Sequence, residues 1–147
     1  MTSSHAEEVR LVVPSRIESL AVINAVAEEV AQQLEFDEDT RNAITISVVE
    51  AGTNAIQHGN REDSSKPTEV LFRTEGGQLV IVVRDQGAGF NPDGVADPLR
   101  GENLFAEHGR GLHILRSFMD EVSFRFDRGT ECRLAKNLPA NARPSRE

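Results

Sequence analysis

The chain has 147 residues, of which 38% are hydrophobic and 27% charged, a balance and length typical of one soluble domain with its own core. No stretch reaches the roughly 18 consecutive apolar residues of a membrane span, the N-terminus shows no signal peptide, and the one cysteine, Cys132, excludes an internal disulfide. A net charge of −8 without a cluster of lysine or arginine argues against nucleic acid as a partner, so we expect a cytoplasmic protein that binds neither nucleic acid nor membrane.

The first third of the chain is predicted to form one strand and two helices. An apolar run at Val9–Val13 favours a short strand, and Ser15 is a candidate N-cap for the helix that follows. Apolar residues then recur at helical spacing as far as Leu34. Asp37 is the candidate N-cap of a second helix, which is expected to stop at Gly59.

Two hairpins, a long loop and a third helix are predicted for the remainder. Gly76-Gly77 favours a tight turn between two apolar strands. The segment from Gln86 to His108, about two dozen residues rich in Gly, Pro, Asp and Asn, predicts a functional lid or a disordered loop. The expected elements are strands over residues 68–74 and 78–85, a helix over 111–122, and strands over 122–127 and 130–136.

This order of elements predicts an α+β fold of two layers. We expect a mixed, mostly antiparallel sheet of about five strands with three helices on one face. One domain would span residues 8–136, with flexible tails at 1–7 and 138–147. The strand segment Leu79–Val83 is apolar on both faces, so either it is a central strand or something besides the helices covers it.

The second helix carries a polar stripe on an otherwise apolar sequence. Glu50, Asn54 and His58 are spaced four apart, which aligns them on one face of an α-helix. Asn54 offers a side-chain oxygen to Mg²⁺, and Glu50 could act as a base on a hydroxyl or orient it. His58 fits a favourable charge in the last helical turn. The alternative for Glu50 and Asn54 is a helix face that only meets solvent.

A second motif follows the predicted strand that ends near residue 85. Asp85 is succeeded by Gly87 and Gly89, and glycines let the backbone approach a ligand closely. A carboxylate at a strand end can accept hydrogen bonds from an exocyclic amine such as that of adenine. An ordinary turn is the alternative.

A third motif opens the predicted late helix. Gly109, Arg110, Gly111 and Leu112 place two glycines at a helix N-terminus, where free N–H groups are suited to phosphate. A plain glycine turn is the alternative for this motif taken alone.

In this order, the motifs resemble the GHKL ATPase superfamily, whose shared architecture is the Bergerat ATP-binding fold. The stretches VVEAGTNAIQHGN, VVRDQGAGFNP, HGRGLHILRSFMDEVSF and GTECRLAK are similar to those of small bacterial serine kinases and anti-sigma factors of partner-switching systems. The resemblance implies that the chain binds ATP with Mg²⁺ and phosphorylates a small anti-sigma-factor antagonist on Ser or Thr. It also implies a sigma factor as competing partner and a homodimer.

The resemblance assigns roles residue by residue. Glu50 matches the general base and Asn54 the Mg²⁺ ligand. Asp85 matches the acceptor for the adenine amine, in a pocket shaped by Gly87 and Gly89. The phosphate-side loop is matched by Gly109, Arg110, Gly111 and Leu112. On this hypothesis the polar stripe faces nucleotide rather than solvent.

Two other hypotheses about the function remain. The chain could be an ATP-holding anti-sigma or scaffold module without kinase activity, since the same residues would serve both. A histidine kinase catalytic domain would need a dimerising helical hairpin with a phosphoacceptor histidine, and no histidine lies on such an element; they are His5, His58, His108 and His113. Larger ATPases of the superfamily need a transducer domain, for which we expect no chain to remain.

Overall fold

The computed structural model describes residues 7–87, 111–126 and 128–140. Apolar residues that alternate along the chain form a five-stranded sheet, in which every pairing between described strands is antiparallel. The prediction of an α+β sandwich is therefore confirmed, with an antiparallel sheet in place of a mixed one. In the order they occupy across the sheet, the strands are β1 (Glu8–Val13), β2 (Thr68–Glu75), β3 (Gln78–Arg84), β5 (Thr130–Asn137) and β4 (Glu121–Phe126).

The helical segments agree with the predicted ones except at their ends. The predicted second helix is regular only in its first part, because the Asn60 N–H donates to the Ala55 carbonyl five residues back, at 2.8 Å. That pattern defines a π-helical turn, a feature found frequently at functional sites. The segments are α1 (Ser19–Gln33), α2 (Glu38–Thr53), the π-helical turn (Asn54–Gly59) and α3 (Gly111–Phe118).

One of the two predicted N-caps is confirmed and the other is wrong. Asp37 Oδ1 accepts a hydrogen bond from the Thr40 N–H at 2.8 Å and so caps α2. Ser15 does not cap α1, which begins four residues later at Ser19. The Ser15 hydroxyl is fully buried and donates instead to the Lys66 carbonyl, so it is committed to a contact between distant parts of the chain.

The late helix is shorter than predicted. It ends at Phe118 rather than residue 122, because strand pairing already begins at Glu121. The Asp120 N–H donates to the Ala135 carbonyl at 2.9 Å, which draws this segment onto the sheet.

The core lies between one face of the sheet and the helices, as predicted. Alternate residues of β2 and β3 point into it, and α2 packs against both α1 and α3. Gly52 brings α2 close to α1, since a Cβ placed there would lie 3.3 Å from the Leu20 side chain. The largest fully buried side chains are Phe72, Ile23, Ile44, Ile56, Leu79, Ile81, Leu115 and Leu134.

The opposite face of the sheet carries a second, smaller apolar cluster. Val80 and Val82 of β3 belong to this cluster and are 0% and 3% exposed. Since β3 has two strands on each side of it, the apolar segment Leu79–Val83 is a central strand, the first of the two predicted alternatives. Ion-paired arginine side chains flank them, and their aliphatic parts are suited to covering apolar surface. In these pairs Arg10, Arg73, Arg84, Arg125 and Arg133 meet Glu8, Glu69, Glu75, Glu121 and Glu131.

Candidate functional site

A buried carboxylate marks the end of β3. Asp85 Oδ1 accepts hydrogen bonds from the Gly87 N–H at 3.0 Å and the Thr130 N–H at 3.1 Å. The backbone N–H of Asp85 in turn donates to the Thr130 carbonyl at 3.0 Å. The carboxylate is therefore fixed by two segments that are far apart in sequence.

Burial makes the Asp85 charge costly. Desolvation raises the pKa of this carboxyl, and the N–H groups of Gly87 and Thr130, followed by the charge of Lys66, oppose the rise. Two N–H groups donate hydrogen bonds to Oδ1, whereas no hydrogen bond from a described residue ends on Oδ2. A ligand that donated a hydrogen bond to Oδ2 would relieve part of the cost, and an exocyclic amine is such a donor.

Three glycines allow the chain to crowd around this carboxylate. A Cβ on Gly59 would lie 2.1 Å from Asp85 Oδ2, and a Cβ on Gly87 would lie 2.0 Å from the Gly59 carbonyl oxygen. Gly129 has φ +104°, and its Cβ would lie 2.3 Å from the Asp85 carbonyl oxygen. Any larger residue at these positions would enter the space between the π-helical turn, the end of β3 and the β4–β5 turn.

Sequence reasoning anticipated Gly87 but missed part of this cluster. It interpreted Gly59 only as a helix stop and Gly129 only as part of a turn, and it assigned no role to Thr130. The Gly-Thr pair at which the last strand begins was the available signal. Its contact with Asp85 depends on strand order, which local sequence does not reveal.

The helix side of the candidate site is built by α2. Asn54 is only 7% exposed, and no hydrogen bond among the described residues ends on its side-chain amide. Glu50 lies one turn earlier and is half-buried. The π-helical turn changes the spacing beyond Asn54, so His58 does not continue the predicted α-helical stripe in register.

Only part of the predicted phosphate loop can be located. Gly111 begins α3 and is buried, and Leu112 packs against the core. Because α3 packs against α2, these two residues belong to the helix beside Glu50 and Asn54. The remaining predicted site residues, Gly89, Gly109 and Arg110, lie outside the described residues.

The residues present fit a cation that is held jointly with a ligand. Within residues 7–87, 111–126 and 128–140, no group of three or more His, Cys, Asp or Glu side chains could hold a metal ion. Mg²⁺ commonly binds through one or two protein oxygens plus substrate phosphates, and the buried amide of Asn54, on which no hydrogen bond among the described residues ends, suits such a role.

Two cavities lie near these elements. One of about 170 Å³ is bordered by Asp85 and the Gly129-Thr130 pair. A larger one of about 470 Å³ lies at the α3–β4 connection, beside Arg116, and does not include Asp85. We place the site at Asp85 because its buried carboxylate and converging glycines have no counterpart in the larger cavity.

None of the described helices is long and apolar enough to cross a membrane.

Serine-protein kinases of two Bacillus species are similar to this chain along most of its length. Serine-protein kinase RsbW of Bacillus subtilis (strain 168) is 28% identical over 141 residues, covering 92% of this chain and 88% of that protein. The RsbW protein of Bacillus mycoides (strain KBAB4) is 29% identical over 141 residues, with 90% and 86% covered.

The fold is shared with a solved structure, and the sequence with a defined family. The catalytic domain of histidine kinase ThkA superposes with a TM-score of 0.50 at 12% identity, covering 95% of this chain and 99% of that one. The protein-family model described as a histidine kinase-like ATPase domain matches residues 13–136, which include Glu50, Asn54 and Asp85. The chain therefore belongs to the family of histidine kinase-like ATPase domains.

Proposed function

We propose that this protein is an ATP-dependent serine/threonine protein kinase that also acts as an anti-sigma factor in a partner-switching system. Its substrate would be a small anti-sigma-factor antagonist, which in unphosphorylated form competes with a sigma factor for the kinase. The observation that carries the proposal is the buried Asp85 carboxylate, which two backbone N–H groups hold in place. Relatives named serine-protein kinase, matched over 90% of the chain or more, favour a protein substrate.

In this proposal ATP lies between the end of β3 and the face of α2. Asp85 accepts a hydrogen bond from the adenine amine, and Gly87 and Gly89 let the backbone approach the base. Asn54 would hold Mg²⁺ through its side-chain oxygen. Mg²⁺, when bound, neutralises charge on the phosphates. The segment of Gly109, Arg110, Gly111 and Leu112 lies on the phosphate side.

Glu50 is the proposed general base. It takes the proton from the hydroxyl of the substrate serine or threonine as that oxygen attacks the γ-phosphorus. The bond between the γ-phosphorus and the bridging oxygen breaks, and ADP leaves. Phosphoryl transfer depends chiefly on positioning and charge neutralisation. One well-placed carboxylate is therefore enough as the acid–base group that the protein supplies.

Two further points belong to the proposal. We expect a homodimer in the cytoplasm, on the resemblance to small serine kinases of this kind, with neither nucleic acid nor membrane as a partner. The second candidate function is an ATP-binding anti-sigma or scaffold module without kinase activity. The half-buried Glu50 favours the kinase, since a binding module does not require a carboxylate one turn from Asn54.

The test is transfer of label from γ-labelled ATP with Mg²⁺ to proteins in a lysate of the source organism. Wild type is compared with Glu50→Gln, which removes the base, and with Asp85→Asn, which removes the amine acceptor. Glu38→Gln is the matched control, because Glu38 is an exposed carboxylate on the same helix.

We expect a small protein to be labelled on Ser or Thr by wild type and Glu38→Gln only. If wild type binds ATP but labels nothing, the binding module becomes the better account. If Asp85→Asn binds ATP as tightly as wild type does, the assignment of the base pocket is wrong.

A further inference from the structure

Asn60, the residue directly after the π-helical turn, is 1% exposed and makes side-chain hydrogen bonds in two directions. Its Nδ2 donates to Ser15 Oγ at 2.8 Å and lies within 3.3 Å of three further acceptors. Those acceptors are the carbonyls of Lys66 and Pro67 and the Thr68 hydroxyl. This side of the amide therefore joins the π-helical turn to the segment before α1 and to the start of β2.

The other side of the amide reaches the candidate site. Asn60 Oδ1 accepts a hydrogen bond from the Gln86 N–H at 2.8 Å. Gln86 lies between Asp85 and Gly87, and its side chain is exposed, so its backbone is what Asn60 holds. The bond from Thr130 to Asp85 Oδ1 and this bond from Gln86 to Asn60 restrain the segment 85–87 from two distant parts of the chain, while the bond from the Gly87 N–H to Asp85 Oδ1 lies within the segment.

We propose that Asn60 is a positioning residue that fixes the orientation of Asp85 before nucleotide binds and thereby sets selectivity for purines with an exocyclic amine. The inference rests on the proposed function, in which Asp85 accepts that amine. Without the Asn60 oxygen, the Gln86 N–H loses its partner and segment 85–87 gains freedom. A carboxylate that must be ordered on binding discriminates less between bases than one already in place.

Mutations can distinguish the hydrogen bond of Asn60 Oδ1 from those of Asn60 Nδ2. Asn60→Ala removes the bond to Gln86 together with the bonds to the other side. Ser15→Ala removes a buried hydroxyl from the same network but leaves the Gln86 bond intact, and it is therefore the matched control. Both variants should unfold at lower temperature than wild type, because each leaves buried polar groups without a partner.

The measurement is the dissociation constant of ATP and of purine riboside triphosphate, which lacks only the exocyclic amine. Wild type should prefer ATP by at least about tenfold, the value of one good hydrogen bond. We expect Asn60→Ala to reduce that preference at least about fivefold, since a freer Asp85 gains less from the amine. Ser15→Ala should keep the wild-type preference within about twofold, because Asn60 Nδ2 retains the carbonyls of Lys66 and Pro67 as acceptors and Oδ1 retains the Gln86 N–H.

Asn60→Asp supplies a rescue. It keeps an oxygen for the Gln86 N–H but loses the Nδ2 donors, so we expect low thermal stability together with the wild-type preference. A preference in Asn60→Ala equal to wild type, or an equal loss in Ser15→Ala, would overturn the proposal.

A second readout needs no variant and holds if Asn60→Ala does not fold. In nucleotide-free wild type, the Gln86 amide should exchange with solvent far more slowly than an exposed amide. Exchange at the unprotected rate would overturn the proposal. The proposed function fails separately, when wild type shows no preference between the two triphosphates.

Discussion

Replacing Gly87 by alanine tests how closely the π-helical turn and the end of β3 must approach. The new Cβ would lie 2.0 Å from the Gly59 carbonyl oxygen, whereas contacts under 3.0 Å essentially never occur, so the backbones must separate by at least 3.0 − 2.0 = 1.0 Å. Overpacking of this kind costs about 1–3 kcal/mol. The melting temperature should therefore fall by about 3–10 °C.

The same displacement should weaken nucleotide binding. Where the Gly87 backbone takes up this movement, its N–H shifts relative to the Asp85 carboxylate, and the 3.0 Å hydrogen bond to Oδ1 is weakened or lost. Loss of a bond to a charged group costs about 1.5–3 kcal/mol, so the dissociation constant for ATP should rise about 10- to 100-fold. Calorimetric titration with ATP and thermal unfolding of the same samples give both quantities.

Gly76→Ala is the control for the loss of a glycine as such. Gly76 has φ +62° in the β2–β3 turn, and a Cβ there would meet nothing within 4 Å. The left-handed conformation costs alanine about 1–2 kcal/mol, so the control should lose similar stability. Its affinity for ATP should stay at the wild-type value. A folded Gly87→Ala protein with wild-type affinity, or an equal loss of affinity in Gly76→Ala, would refute the reasoning.

Three further predictions concern charge and packing. Asp85→Asn should abolish ATP binding yet raise the melting temperature at pH 7, because desolvation raises the pKa of Asp85 and makes its charge destabilising. The gain in melting temperature should shrink as pH falls and the wild-type carboxyl is protonated. A melting temperature below that of wild type at pH 7 would contradict this prediction. Asp37→Ala should lower the melting temperature at pH 7. The deficit should shrink as pH falls through the pKa of Asp37, which hydrogen bonds from Thr40 hold below its usual value, and Asp37→Asn, which keeps an acceptor, should lose less. Leu134→Ala, at a fully buried position, should cost about 2–5 kcal/mol in the free energy of unfolding by denaturant, against less than about 0.5 kcal/mol for Val12→Ala at an exposed one.

Local physical chemistry was enough to predict most of the fold. The glycines of the β2–β3 turn have φ +62° and +77°, which few other residues adopt, so the hairpin could be predicted from two adjacent residues. Asp37 caps α2 through a bond that spans three residues, again within reach of a sequence pattern. The apolar run Leu79–Val83 predicted a strand covered on both faces, and the strand order of the sheet then decided between a central strand and an additional covering layer.

The features that escaped prediction depend on contacts between distant segments. Ser15 is a good N-cap residue by type, but its partners are Lys66 and Thr68, more than fifty residues away. The contacts of Gly59 and Gly129 with Asp85 arise only once the sheet order is fixed. Asp85 itself was predictable because the glycine two positions after it carries a local signal.

The π-helical turn has a consequence for how the length of this segment can vary. Relative to a regular helix it accommodates one additional residue, so a deletion within Asn54–Gly59 would restore ordinary α-helical geometry at little local cost. Each residue of an α-helix advances about 100° around the axis and about 1.5 Å along it. The deletion would therefore rotate Asn54 relative to Asn60, so Asn60 could not keep its hydrogen bond with Gln86 while Asn54 kept its present orientation. On the proposed function, the spacing between these two asparagines is set by the two halves of the nucleotide pocket, and we expect natural variants of this chain to change length in the β2–β3 hairpin before they change it here.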